Sequence, residues 1–305
     1  MVAALNKEAC PVPMAVIEKL AFPGPAGLSA LKYGSIFFVG TATTVIRYGG
    51  FTLLTDPNFL HAGDHAHLGY GITSKRKTDP AIEIGDLPTL DLCVLSHMHG
   101  DHWDKTAEAK LPKSLPIVTT LEASLTLRRR GFDNLHPLNH WDSIDITKGE
   151  VKLRIASMPG RHGPCLVNAL LPQVMGSILE WRIHDVPVFH LYISGDTLVH
   201  EELEDISRRY TDIDLALLHL GGARILGILV TMDAQQGIQA IRIIRPGISI
   251  PIHYNDYPVF KSPLEEFMQA VKEAGLEDKV HYLKHGDTYE FEAARASEHE
   301  PVKMR

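Results

Sequence analysis

The string Ser96-His97-Met98-His99-Gly100-Asp101-His102-Trp103-Asp104 restricts this chain more than any other feature. It directly follows residues 90–95, a short unbroken apolar run of the kind that forms a fully buried strand. In extended backbone His97 and His99 face the same side. Asp101 and His102 then enter the next turn and reach a second point beside the first. Three imidazoles and a carboxylate within residues 97–102 are costly to bury unless something cationic satisfies them. The fold must therefore open a strand end onto a cleft and bring further donors to this loop.

Candidates for those donors stand at the ends of other apolar runs. His162 lies in Pro159-Gly160-Arg161-His162-Gly163-Pro164, after a strand expected at 152–156. Asp196 lies in Ser194-Gly195-Asp196-Thr197, after one expected at 188–193, and His253 ends one expected at 248–252. Taken singly, each reads as a capping or surface residue. Together with the 97–102 loop, each becomes a candidate metal ligand in a chain of 17 histidines.

The rest of the pattern places these loops. Residues 1–30, rich in Pro, Ala and Gly, read as an N-terminal extension with one short helix. A β-meander is expected at 35–39, 43–48 and 51–55, closed by Asp56-Pro57. A long polar segment, 58–88, follows, and a loop of that length in a compact domain is more often functional than filler. Further strands are expected at 117–119, 143–146, 152–156, 177–182, 188–193, 215–218, 248–252, 280–283 and 288–291. Helices are expected at 105–111, 121–130, 201–210, 234–243 (with Thr231 as N-cap) and 263–274. Two β-then-α halves suggest an α/β, four-layer αββα sandwich. The division expected is an extension (1–33), one domain (34–292) and a tail (293–305).

Composition narrows the function. Hydrophobic residues at 45% and charged residues at 22% describe an ordinary globular chain. The net charge of −7 argues against a nucleic-acid partner. Cys10, Cys93 and Cys165 are too few and too scattered for a disulfide framework, and they fit a reducing compartment. With no signal-peptide pattern and no apolar run of membrane-spanning length, the expectation is a cytoplasmic protein acting on a small molecule. Homo-oligomerisation is left open. No Gly-x-Ser-x-Gly elbow, P-loop or dinucleotide fingerprint is present.

His97-x-His99-x-Asp101-His102, then a later His, a Gly-Asp and a final His, resembles the metallo-β-lactamase superfamily of binuclear metallohydrolases, over about residues 34–290. Asp104, Gly40-Thr41-Ala42-Thr43, Thr55-Asp56-Pro57 and Met175-Gly176-Ser177 look like the branch containing ascorbate-6-phosphate lactonase and N-acylphosphatidylethanolamine phospholipase D. The resemblance implies His97, His99 and His162 on one metal, Asp101, His102 and His253 on a second, and Asp196 bridging. It puts Asp56 in support behind the ligands, and Asp104 extends the motif. Oxygen-reducing di-iron members carry a glutamate where this chain has His99, which disfavours redox chemistry. Five imidazoles and two carboxylates suit two Zn2+ ions first, with Mn2+ or Fe2+ as alternatives.

The resemblance thus implies a hydrolase. A hydroxide held between the metals attacks the carbonyl of a small cyclic ester or amide, as in a lactonase or lactamase, and Asp101 can also carry a proton. The competing readings are a phosphodiesterase for lipid-like or nucleotide-like substrates, and a non-catalytic, metal-stabilised binding scaffold. His219, ending strand 215–218, and Tyr254, following the last ligand, are candidate catalytic residues, Tyr254 as an oxyanion donor. His65, His67 and Tyr70 in the long loop, and Tyr257, are candidate substrate contacts. The basic run 75–77 reads as a solvated face. Residues 165–175 read as an apolar wall or lid.

Overall fold

A computed structural model describes residues 15–69 and 71–297. The strands are β1 (Ala15–Phe22), β2 (Tyr33–Gly40), β3 (Thr43–Tyr48), β4 (Phe51–Thr55), β5 (His65–His67), β6 (Thr73–Lys75), β7 (Leu92–Val94), β8 (Ile117–Thr120) and β9 (Leu135–Leu138). They continue with β10 (Asp142–Lys148), β11 (Val151–Pro159), β12 (Met175–Ile183), β13 (Val186–Ile193), β14 (Leu215–His219), β15 (Arg224–Ile225), β16 (Ile228–Leu229), β17 (Ile248–Ile252) and β18 (Thr288–Glu292). The helices are α1 (Lys105–Lys110), α2 (Leu121–Arg129), α3 (Cys165–Asn168), α4 (Leu203–Arg209), α5 (Ala234–Ile244), α6 (Leu264–Ala274) and α7 (Ala294–Ser297).

Two seven-stranded sheets carry the molecule, in the orders β18-β2-β3-β4-β7-β8-β9 and β1-β10-β11-β12-β13-β14-β17. Their inner faces meet in one core: Ile36, Phe38, Ile46 and Leu53 of the first sheet pack with Ile144, Leu153, Leu179 and Leu191 of the second. Alternation along β2 and β3 turns the other face outward, where Val39, Val45 and Leu54 pack under α1 and α2. The outer face of the second sheet is covered by α4, α5 and α6 through Ile206, Ile238, Ile241 and Phe267. The result is the αββα sandwich expected from the sequence. Among the described residues no helix is long and apolar enough to cross a membrane.

Four local expectations are corrected. Residues 15–22 are not a helix-bearing extension: β1 pairs in parallel with β10 at the edge of the second sheet, and Leu20 and Phe22 pack on the core. Tertiary pairing there outweighs a Pro- and Gly-rich context. The N-cap of α5 is Asp233, which accepts from the Gln236 amide at 3.0 Å, rather than Thr231. Residues 280–283 form no strand; Val280 makes a lone bridge with Ser249. Arg76, expected to be solvated, is buried: it donates to the Asn58 carbonyl at 3.0 Å and to the Asn58 side chain, holding the segment after Asp56.

Candidate metal centre

All the expected donors lie at one end of the sandwich. Asp56 follows β4 and the 97–104 loop follows β7, both in the first sheet. His162 follows β11, Asp196 follows β13 and His253 follows β17, all in the second. The sequence builds these turns by local means. Gly195 adopts φ +61° and has the Met175 carbonyl 2.7 Å from where a Cβ would sit, so the chain can turn Asp196 inward only with glycine before it. At Gly100 a Cβ would lie 2.5 Å from the His67 amide nitrogen; its absence lets the β5–β6 hairpin lie against the loop, with Gly100 N–H donating to the His67 carbonyl at 2.8 Å.

Every one of the seven expected ligands is nearly sealed from solvent, none more than 4% exposed. Three donors converge at one point: His99 Nδ1 stands 3.0 Å from His97 Nε2 and 3.2 Å from His162 Nε2. A second group converges beside it: His102 Nε2 is 3.2 Å from His253 Nε2, and His253 Nε2 is 3.4 Å from Asp101 Oδ2. Asp196 Oδ1 lies between, 3.4 Å from His102 Nε2 and 3.6 Å from His253 Nε2.

The outward-facing nitrogens fix which lone pairs point in. His162 Nδ1 lies 2.8 Å from the Val230 carbonyl and His253 Nδ1 3.1 Å from the Leu220 carbonyl. A carbonyl only accepts, so both Nδ1 atoms carry the proton. His102 Nδ1 lies 3.0 Å from Asp56 Oδ2 and donates to it. Ser96 gives its hydroxyl proton to Asp56 Oδ2 at 2.8 Å, so its oxygen accepts from His97 Nδ1 at 2.9 Å. Four Nε2 lone pairs therefore face inward, joined by the Nδ1 of His99. Asp101 Oδ1 and Asp196 Oδ1 have no hydrogen-bond partner. Nitrogen lone pairs and the carboxylate oxygens Asp101 Oδ2 and Asp196 Oδ1 at these separations repel, and divalent cations would satisfy them. The donor set fits the expected metals.

Electrostatics point the same way. Burial, together with neighbouring imidazoles, pushes His97 well below its ordinary value, His99 down to about 3, and His162 lower. Burial also opposes charge on His102 and His253, yet Asp196 and the other carboxylates raise both. Positive charge is wanted between Asp196, Asp101 and these two rings, and unwanted on the other three.

The remaining candidates fall elsewhere. Asp56 braces the loop, accepting from Ser96 N–H at 2.6 Å as well as from Ser96 O–H and His102. His219 is not open to a cleft: its Nε2 lies 3.4 Å from Asp56 Oδ2 and its Nδ1 3.2 Å from Ser194 Oγ. Its ring stacks on His102 with centroids 5.7 Å apart and stands 5.6 Å from the ring of His253. Asp56, His102 and His219 lie as close together as the donor groups do, but the oxygens of Asp56 are already taken by Ser96 and His102. Tyr254 is displaced from the oxyanion role, since its ring packs on Phe38 and its hydroxyl donates to the Leu283 carbonyl in the core. Tyr257 is buried and donates to Asn58 Oδ1 at 3.1 Å. Asp104 caps α1 through the Ala107 amide and binds the Phe59 amide, tying the two loops together. His65 and His67 are exposed and line a cavity of about 200 Å³ with Met98, Trp103 and Lys105. Tyr70 lies outside the described residues. Sequence reasoning missed Ser96, Thr231 (whose hydroxyl donates to Asp196 Oδ2 at 2.9 Å), Asn58 and the carbonyls of Leu220 and Val230.

Comparison with known proteins decides the family. A family model described as "Beta-lactamase superfamily domain" matches residues 52–254, which hold every donor named above. The chain belongs to the metallo-β-lactamase superfamily. A UPF0173 metal-dependent hydrolase of Aeropyrum pernix is 30% identical over 271 residues, 85% of this chain and 98% of that protein. Its counterpart in Nanoarchaeum equitans is 29% identical over 213 residues, 69% of this chain and 91% of that protein. The chain is thus a metal-dependent hydrolase of this family. Among solved structures, an isothiocyanate hydrolase from Delia radicum gut bacteria superposes with TM-score 0.73 at 23% identity, covering 85% of this chain and 100% of that one. Igni18, a metallo hydrolase from Ignicoccus hospitalis, gives 0.62 at 24% identity, covering 85% and 98%. Both show the same fold.

Proposed function

We propose that His97, His99 and His162 hold one divalent metal, that Asp101, His102 and His253 hold a second, and that Asp196 lies between them. The observation that carries this reading is the set of five inward imidazole lone pairs and two carboxylate oxygens with no proton to share. Two metals held there would lower the pKa of a water toward neutrality and polarise a scissile carbonyl. The donor types suit zinc first.

On this arrangement the chain hydrolyses a lactone or a lactam. Water adds its oxygen to the carbonyl carbon, the ring C–O or C–N bond breaks, and the leaving atom takes up the proton. Asp101, with Oδ1 free of hydrogen bonds, is the chain's own group placed to carry that proton. Val230 and Leu220 hold the His162 and His253 rings in register, so no reorganisation is needed during turnover. Next to His162 in the chain, Arg161 is paired with Glu201, and the adjoining cluster is apolar. That favours a carbonyl over a phosphodiester.

The test is a panel of lactones, lactams, isothiocyanates and bis(p-nitrophenyl) phosphate, run on protein of measured metal content. Fastest turnover of a lactone or lactam supports the reading. A phosphodiester cleaved far better replaces it with phosphodiesterase chemistry, and full metal loading with no turnover makes the chain a binding scaffold.

A further inference from the structure

The main chain at His253 is held in a conformation that few residue types accept. Thr41, His253 and Asn255 all stand in the left-handed region, at φ +50°, +63° and +62°. Asparagine tolerates that region. A β-branched threonine is an outlier there and persists only where its surroundings hold it. Thr41 and His253 are also joined, since His253 N–H donates to the Thr41 carbonyl at 2.6 Å. That bond runs from the turn between β2 and β3, in the first sheet, to the end of β17, in the second. A turn on one sheet thus sets the backbone of a candidate ligand on the other.

One side chain holds that turn. Asp256, 1% exposed, accepts Thr41 N–H at 2.7 Å and Thr41 O–H at 3.0 Å on its Oδ2. Its Oδ1 accepts from the Thr78 hydroxyl at 2.5 Å, and His285 Nε2 lies 3.3 Å from Oδ2. The Lys77 amide donates to its backbone carbonyl at 2.8 Å. Burial opposes the charge, yet His285, Thr78 and Arg76 hold the carboxyl below the ordinary carboxylate range. A position that only had to be filled would be apolar at less cost. Here a buried carboxylate gathers donors from three separate parts of the chain, and the tightest of its two contacts with Thr41 lies one residue's backbone from the bond to His253.

We propose that Asp256 is a positioning residue for the second metal: acting through Thr41, it sets the main chain of His253 and so the aim of its Nε2 toward His102 and Asp101. This rests on the two-metal reading above. The division of labour is clear from the contacts. The Leu220 carbonyl orients the His253 ring through Nδ1, and Asp256 with Thr41 fixes the backbone that carries the ring.

The test is a competition titration of metal-stripped protein with zinc and a chelator, read as two dissociation constants, beside the Tm of the stripped protein. Wild type should bind two ions. Asp256→Ala should weaken one of them about tenfold and leave the other unchanged. Asp256→Asn keeps an oxygen for Thr41 to donate to and should restore most of the loss. Thr41→Val removes only the hydroxyl contact, should weaken the same ion, and decides the matter if Asp256→Ala does not fold. Double variants show which ion is affected. Added to His253→Asn, Asp256→Ala should cost no further affinity; added to His97→Ala, it should cost the full tenfold. Equal weakening of both ions in step with a lower Tm would make Asp256 a purely structural residue and overturn the proposal. So would unchanged affinities in Asp256→Ala and Thr41→Val, or an undiminished cost on the His253→Asn background. Two ions in wild type with unaffected variants leaves the two-metal reading standing; fewer than two in wild type removes both.

Discussion

The two sheets furnish the proposed metal centre in different ways. On the first sheet a single loop after β7 carries His97, His99, Asp101 and His102, and one buried carboxylate, Asp56, braces it through Ser96 and His102. On the second sheet three separate strand ends carry His162, Asp196 and His253. Each of these is held by its own contact with a neighbouring loop: the Val230 carbonyl, the Thr231 hydroxyl and the Leu220 carbonyl. The first side runs the support of both His97 and His102 through Asp56; the second distributes it. A change of brace should therefore cost more on the first side than on the second, while a change of donor should be equally severe on both.

The largest effect expected is loss of the donors themselves. His97→Ala on one side and Asp196→Ala on the other should each lose metal and abolish hydrolysis. Full activity in either would remove that side from the centre. Asp56→Asn comes next. It keeps the residue type suited to φ +34° but weakens three hydrogen bonds at once, and should cost about 10- to 100-fold in metal affinity or turnover. Thr231→Val loosens Asp196 alone and should stay near the lower end of that range, about tenfold. Equal losses in Asp56→Asn and Thr231→Val would break the contrast between concentrated and distributed support.

Tyr254→Phe should have the smallest effect. Its hydroxyl serves the Leu283 carbonyl, so the variant should lose about 1 kcal/mol of stability and keep metal content and kcat. A fall in kcat of about 100-fold would return Tyr254 to the oxyanion role.

A pH measurement separates folding from the centre. Burial lowers His200 from its ordinary 6.5 to about 4, so below pH 6.5 the unfolded chain binds a proton that the folded chain refuses. Stability then falls as pH drops from 6.5 toward 4. His200→Asn should flatten this part of the Tm-against-pH curve relative to wild type, and parallel curves would show that His200 titrates normally.

The contrast between the sides also explains what the sequence revealed. His97 to His102 could be read because four donor residues at one strand end have no inexpensive structural explanation. His162, Asp196 and His253 became readable only by joining that loop, since any one of them at a strand end resembles a cap. The support residues stayed hidden: a backbone carbonyl such as that of Val230 has no sequence signature, and Ser96 and Thr231 are common residue types. Tyr254 was misplaced. The chain leaves the strand at His253, where φ is +63°, so the next side chain turns into the core rather than following the donor. β1 was missed because an edge strand takes its conformation from β10 rather than from its own composition.

The central claim is that both sides hold metal together. Metal content by inductively coupled plasma mass spectrometry, measured beside turnover before and after exhaustive chelation, tests it most directly. The account predicts close to two transition metals per chain, inactivity on chelation, and recovery when zinc is returned. It also predicts that His97→Ala and His253→Asn, the latter tolerant of φ +63°, each fall short of two. Undiminished turnover by chelated protein with no measurable metal would contradict it.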